Sequence, residues 1–158
     1  MIVRKQIICV DEDGNPLGPP EDIPEPQSVP NGLSAIPSYA SRLLSSSASF
    51  SSLMVSTADG ARGCGLARRG REIQIFFPID WHRHPEEERC LREFFTRHGI
   101  APAHDYLAQN GGVPGSTRIL MYPLPDSSEG VASLCSGLLV SCFGISGEDT
   151  LQFTLQDR

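Results

Sequence analysis

Lysine is almost missing from this chain: Lys5 is the only one among thirteen basic residues in 158. A Walker-type phosphate loop needs a lysine after its glycines, and the glycine-rich run from Gly60 to Gly65 opens no helical pattern, so that class falls away. No G-x-S-x-G elbow is present, which removes the signature of an α/β-hydrolase serine. No run of about 18 apolar residues occurs, so no membrane-spanning helix is expected. The first residues carry two basic side chains, a short apolar run and no small-residue cleavage pattern, so no signal peptide is expected either. Positive charge in excess is also lacking. A net charge of −6 opposes sequence-blind binding to a phosphate backbone, and nucleic acid is not an expected partner. The five cysteines (Cys9, Cys64, Cys90, Cys135 and Cys142) are odd in number and widely spread. They make no disulfide framework and read as reduced, buried thiols of a cytoplasmic protein.

What is present is ordinary globular chemistry, 39% hydrophobic and 20% charged, in a length suited to one domain covering residues 1–158. Residues 2–10 read as a strand. Residues 11–31 hold six prolines and most of the local acids, and read as a proline-rich acidic arm or loop. Apolar residues at three-to-four spacing predict a short helix over 36–46, with Pro37 in its first turn and a polar serine-rich connection over 45–52. A meander follows, with strands at 53–57, 61–67 and 72–77 and turns at Asp59-Gly60 and Arg69-Gly70. In the second of these, Gly63 and Gly65 imply a bulge or something packed close on the backbone.

Pro85, three glutamates in the first turn and Gly99 past the last bracket a helix over 85–98. Two strands, at 104–108 and 117–124, are joined across Asn110-Gly111-Gly112 and Pro114-Gly115. The third helix is expected to open on Asp126 as N-cap with Glu129 three residues on, and to lay Val131, Leu134, Cys135, Leu138, Leu139 and Cys142 on the sheet. Ser136-Gly137 reads as a small-residue contact against that sheet. A last strand spans 150–155. The expected fold is α+β: a mostly antiparallel sheet of about five to seven strands with three helices on one side.

From 36–46 through the meander, the helix at 85–98, the strand pair and the helix at 127–143, the order is α-β-β-β-α-β-β-α. This resembles the type III secretion chaperone family and its chaperone-like relatives over about two thirds of the chain. The resemblance implies a small acidic protein, non-enzymatic and often dimeric, that holds an extended segment of a partner. Its basis is element order, and the strands at both ends depart from the family pattern.

Three constellations bear on chemistry. Asp80, His82 and His84 alternate after the strongest strand and would share a side if it continued, as a metal pair does. Pro85 turns the chain into a helix there, so polar loop residues are the expected outcome, with no metal or cofactor site. Cys64, between two glycines, offers a thiol for close approach; with His82 and His84 it defines the alternative reading, a metal-dependent or cysteine hydrolase. Eight of the thirteen basic residues lie between Arg62 and Arg97. Within that run Arg62, Arg68, Arg69 and Arg71 form the candidate partner-binding patch for an acidic peptide, the acidic arm being an intramolecular candidate. The charged edge of a solvated strand explains the same residues. The sequence thus points to a non-enzymatic protein-binding module, chaperone-like or toxin-neutralising, with another protein as partner and a homodimer among its expected assemblies. A small-ligand sensor domain is a further alternative.

Overall fold

Alternation along the strands and one-sided apolar spacing along the helices are resolved in the same way: the helices cover one face of a single antiparallel sheet. The computed structural model describes residues 6–7, 15, 21–22, 24–80, 85–110 and 113–157. In chain order the elements are β1 (Gln6–Ile7), β2 (Glu21–Asp22), β3 (Gln27–Val29), a 3-10 turn (Gly32–Ala35), α1 (Ile36–Ser45), β4 (Phe50–Thr57), β5 (Gly63–Arg69) and β6 (Glu72–Asp80). Then come α2 (Pro85–Arg97), β7 (His104–Asn110), β8 (Val113–Leu124), α3 (Ser128–Phe143) and β9 (Leu151–Asp157). Strands β1 and β2 pair only with each other. The other seven form an antiparallel sheet in the order β3-β9-β4-β5-β6-β8-β7. The α+β class, three helices and antiparallel sheet agree with the sequence.

Cross-strand partners point to the same side of a sheet. Leu155, Leu53, Leu66, Ile75 and Tyr122 therefore line up across five strands, and beside them run Phe153, Val55, Cys64 and, from β6 and β8, Phe77 and Leu120. These rows meet Ile36, Tyr39 and Leu43 of α1, Leu91, Phe94 and Phe95 of α2, and Val131, Cys135, Leu138 and Leu139 of α3 in one core. Its centre is aromatic. Phe95 stacks on Tyr122 with ring centroids 3.8 Å apart, and Tyr39 stacks on Phe153 at 4.2 Å.

Several expectations need correction. The arm at 11–31 ends inside the sheet: Gln27–Val29 pairs with Leu151–Phe153, and the Tyr39 hydroxyl donates to Gln27 Oε1. A strand this short has no alternation to read. The serine-rich connection is partly strand, since β4 begins at Phe50 and buries Ser51 against Asp157 and Arg68. Ser127, rather than Asp126, caps α3; its backbone is extended and its Oγ accepts from Gly130 N at 3.1 Å. Pro114-Gly115 lies within β8 instead of a turn, with Asn110 and Val113 paired across the hairpin. Gly137 meets a helix rather than the sheet: a Cβ there would sit 3.4 Å from the Phe94 ring of α2, an ordinary contact distance.

Candidate functional site

The residues between the buried rows face the other way. In register across six strands stand Thr154, Met54, Gly65, Phe76, Met121 and His104. No described helix lies on this side. Met54 is 41% exposed, and Tyr106, beside Ile119 in the neighbouring row, is 52% exposed. They are two of the three large hydrophobic side chains most open to solvent among the described residues, the third being Val140 on α3. Phe76 and Met121 are half-buried. The end of the Phe76 ring covers Gly65; a Cβ at that glycine would fall 2.1 Å from the ring, so the expected close packing on the β5 backbone is the neighbouring strand's own aromatic ring. The stripe from Met54 to Met121 crosses four strands, or about 14 Å at ordinary strand spacing. Its flanks are mixed: Gln156, Ser52, Ala67, Gln74 and Pro123 run along one side, and on the other Gln152 and Ser56 give way to Ile119 and Tyr106.

The four candidate arginines do not form one surface. Arg68 points into the helix layer and is 6% exposed. Its guanidinium donates to the carbonyls of Leu43 (2.8 Å), Ser46 (3.0 Å), Ala48 (2.7 Å) and Gly70 (2.9 Å) and to Ser51 Oγ (3.2 Å), tying the end of α1 to the sheet. Arg62 Nη1 donates to Phe143 O at 2.7 Å, a favourable placement of positive charge at the C-terminus of α3. Arg69 and Arg71 are exposed, and Arg69 pairs with Glu72 across β5 and β6 on the helix-free face. Strand alternation separates Arg68 from Arg69; the sequence cluster concealed it.

Cys64 is 3% exposed, with its sulfur 3.7 Å from Cys135 Sγ under α3. Its hydrogen bond to Cys135, with burial, pushes the thiol well above its ordinary value, which is the opposite of what activates a nucleophile. His82 and His84 lie outside the described residues, as does Cys9. A second sulfur pair, Cys90 and Cys142, stands at 2.7 Å between α2 and α3. There burial first, then the hydrogen bond with Cys90 and its charge, push Cys142 up to about 12.

Two further features flank the sheet. Where α2 crosses β7 and β8, Arg92 reaches Glu88 (2.8 Å) and Asp105 (2.9 Å), while Arg118 reaches Asp105 (2.6 Å) and Glu88 (3.4 Å). Burial alone would raise the Asp105 carboxyl, but its hydrogen bonds to Arg118 and Arg92 and their charges hold it below the ordinary value. A cavity of about 740 Å³ lies between the end of α2, the end of β8 and the start of α3, lined by His98, Ile100, Pro123, Pro125, Ser133 and Leu134 among others. That is the place a ligand-sensing role would use. No family model, curated protein or solved structure matches this chain.

Proposed function

We propose that this chain is a non-enzymatic protein-binding module, chaperone-like in manner, that takes a segment of another protein on the helix-free face of its sheet. The observation that carries the reading is the row Met54, Gly65, Phe76 and Met121, an apolar stripe on a face where the described fold supplies no cover. Methionine suits such a surface, because an unbranched, polarisable side chain repacks around different partner shapes. Ser52, Ser56, Gln152 and Gln156 beside the Met54 end supply hydrogen bonds, Ile119 and Tyr106 extend the apolar area at the other end, and Arg69 adds a cation for an acidic neighbour. The resemblance in element order to type III secretion chaperones supports the same class. A toxin-neutralising role would use the same stripe.

A photo-crosslinking residue placed at Met54 tests this in a native lysate. The expected result is a protein crosslinked in proportion to the chain, lost when Tyr106→Lys and Met121→Lys are added while the circular dichroism stays unchanged. A crosslink to a second copy would make the partner the chain itself. Binding that persists through those charged substitutions would move the interface away from this face.

A further inference from the structure

The sulfurs of Cys90 and Cys142 are brought together by packing that the two helices require anyway. The Phe94 ring of α2 faces Gly137 of α3. One turn back along α2 stands Cys90, and just beyond Ser141 on α3 stands Cys142; Cys90 Sγ lies 3.7 Å from the Ser141 carbonyl oxygen and 2.7 Å from Cys142 Sγ. The buried pair, Cys64 and Cys135, keeps a non-bonded 3.7 Å. Cys90 and Cys142 stand a full ångström closer, and about 0.7 Å of further approach reaches disulfide bond length. Two thiolates on one tetrahedral zinc would stand about 3.8 Å apart, so the spacing favours a direct bond over a bridging metal. The described residues also contain no cluster of three or more His, Cys, Asp or Glu suited to a metal ion.

Access distinguishes this pair as well. Both cysteines line a cavity of about 510 Å³ together with two bases, Arg62 and Arg89, and three acids, Glu86, Glu87 and Glu93. That volume holds a small molecule, and mixed charges around it suit a zwitterionic one.

We propose that Cys90 and Cys142 form a thiol–disulfide exchange site whose substrate class is a small zwitterionic peptide disulfide of the glutathione kind. The Cys90 thiolate, its proton passed to solvent, attacks one sulfur of the small disulfide; a Cys90–peptide mixed disulfide forms and one peptide thiolate leaves. Cys142 then gives up its proton and attacks Cys90 Sγ. The mixed disulfide breaks, the second peptide thiolate leaves, and both released thiolates are protonated. The protein dithiol loses two electrons and the small disulfide gains two. Burial raises the Cys142 thiol most, but the hydrogen bond and charge of Cys90, which raise it further, are removed once Cys90 is in the mixed disulfide, so Cys142 attacks second. The product staples α2 to α3, and excess small thiol reverses it by the same steps.

The test incubates the intact reduced chain with oxidised glutathione, blocks free thiols by alkylation, and maps peptides without reduction. One Cys90–Cys142 bridge per chain is expected, with two glutathione thiols released. Cys64 and Cys135 should react at least about tenfold more slowly than this pair. In Cys142→Ser, or in Cys142→Ala should the serine disturb folding, the reaction should halt with glutathione joined to Cys90. The bridge should raise the apparent Tm by roughly 10 °C. Cys90 and Cys142 remaining as thiols, or bridging instead to Cys9, Cys64 or another chain, would overturn the proposal.

Discussion

Arg68 and Arg69 are neighbours in β5, yet one guanidinium is enclosed beneath the end of α1 and the other lies in solvent on the far side of the sheet. The same division runs through every long strand: Leu53 beside Met54, Ile75 beside Phe76, Leu120 beside Met121. On the covered face, identity is set by packing and by hydrogen bonds that must be made. On the other face the same strands carry residues the fold hardly uses. A stability measurement should therefore be sensitive to the first set and nearly blind to the second, and a binding measurement the reverse.

The largest effect should come from the centre of the covered face. Phe95→Ala removes a ring stacked on Tyr122 and in edge contact with Phe94, and should cost about 4 kcal/mol in denaturant unfolding. That is a large share of the 5–15 kcal/mol typical of a domain. Next comes the adjacent-residue test. Arg68→Ala strands three carbonyls at the end of α1 and should cost about 3 kcal/mol. Arg69→Ala should change stability by less than about 0.5 kcal/mol. Equal losses at the two positions would falsify the division into faces.

Acid provides a smaller effect. The carboxyl of Asp105 is depressed because its pairing with Arg118 and Arg92 outweighs burial, and that of Asp157 is depressed by the hydroxyls of Ser51 and Ser46. A carboxyl whose folded value lies below its unfolded value of about 3.9 stabilises the fold fully above that pH and loses the contribution as pH falls through the folded value. The Tm should therefore drop below about pH 4. Asp105→Asn should flatten part of that drop, at a cost near neutrality of about 0.5 kcal/mol for a solvent-screened network. Smallest of all, Tyr106→Lys should leave the unfolding midpoint within about 0.5 kcal/mol of the parent, since Tyr106 is 52% exposed, while weakening the partner crosslink formed from position 54.

The elements legible beforehand were those whose local signals agree from end to end. The helix over Pro85–Arg97 has its proline, acids, apolar stripe and closing glycine in consistent places, and Gly99 takes the left-handed conformation, with φ 69°. The meander was readable because β4, β5 and β6 alternate and their turns contain Gly60 and Gly70, both at positive φ. Gln27–Val29 was not readable, because three residues become a strand only when β9 offers them partners. The stripe on the helix-free face was half visible: alternation put Phe76 opposite Ile75, but which strands stand beside β6 depends on long-range pairing. Neither cysteine pair left any trace in spacing, being separated by 71 and 52 residues.

The sequence by itself determined the class of fold, the position of most elements, and the two faces of the cleanly alternating strands at 72–77 and 150–155, since these follow from periods of two and 3.6 residues acting over short distances. Only the tertiary structure decided the strand order, the fate of Arg68, the row from Met54 to Met121 and the meeting of Cys90 with Cys142. Each depends on residues far apart in the chain brought to within a few ångströms by burying one common core. Local propensity carries no record of such distances.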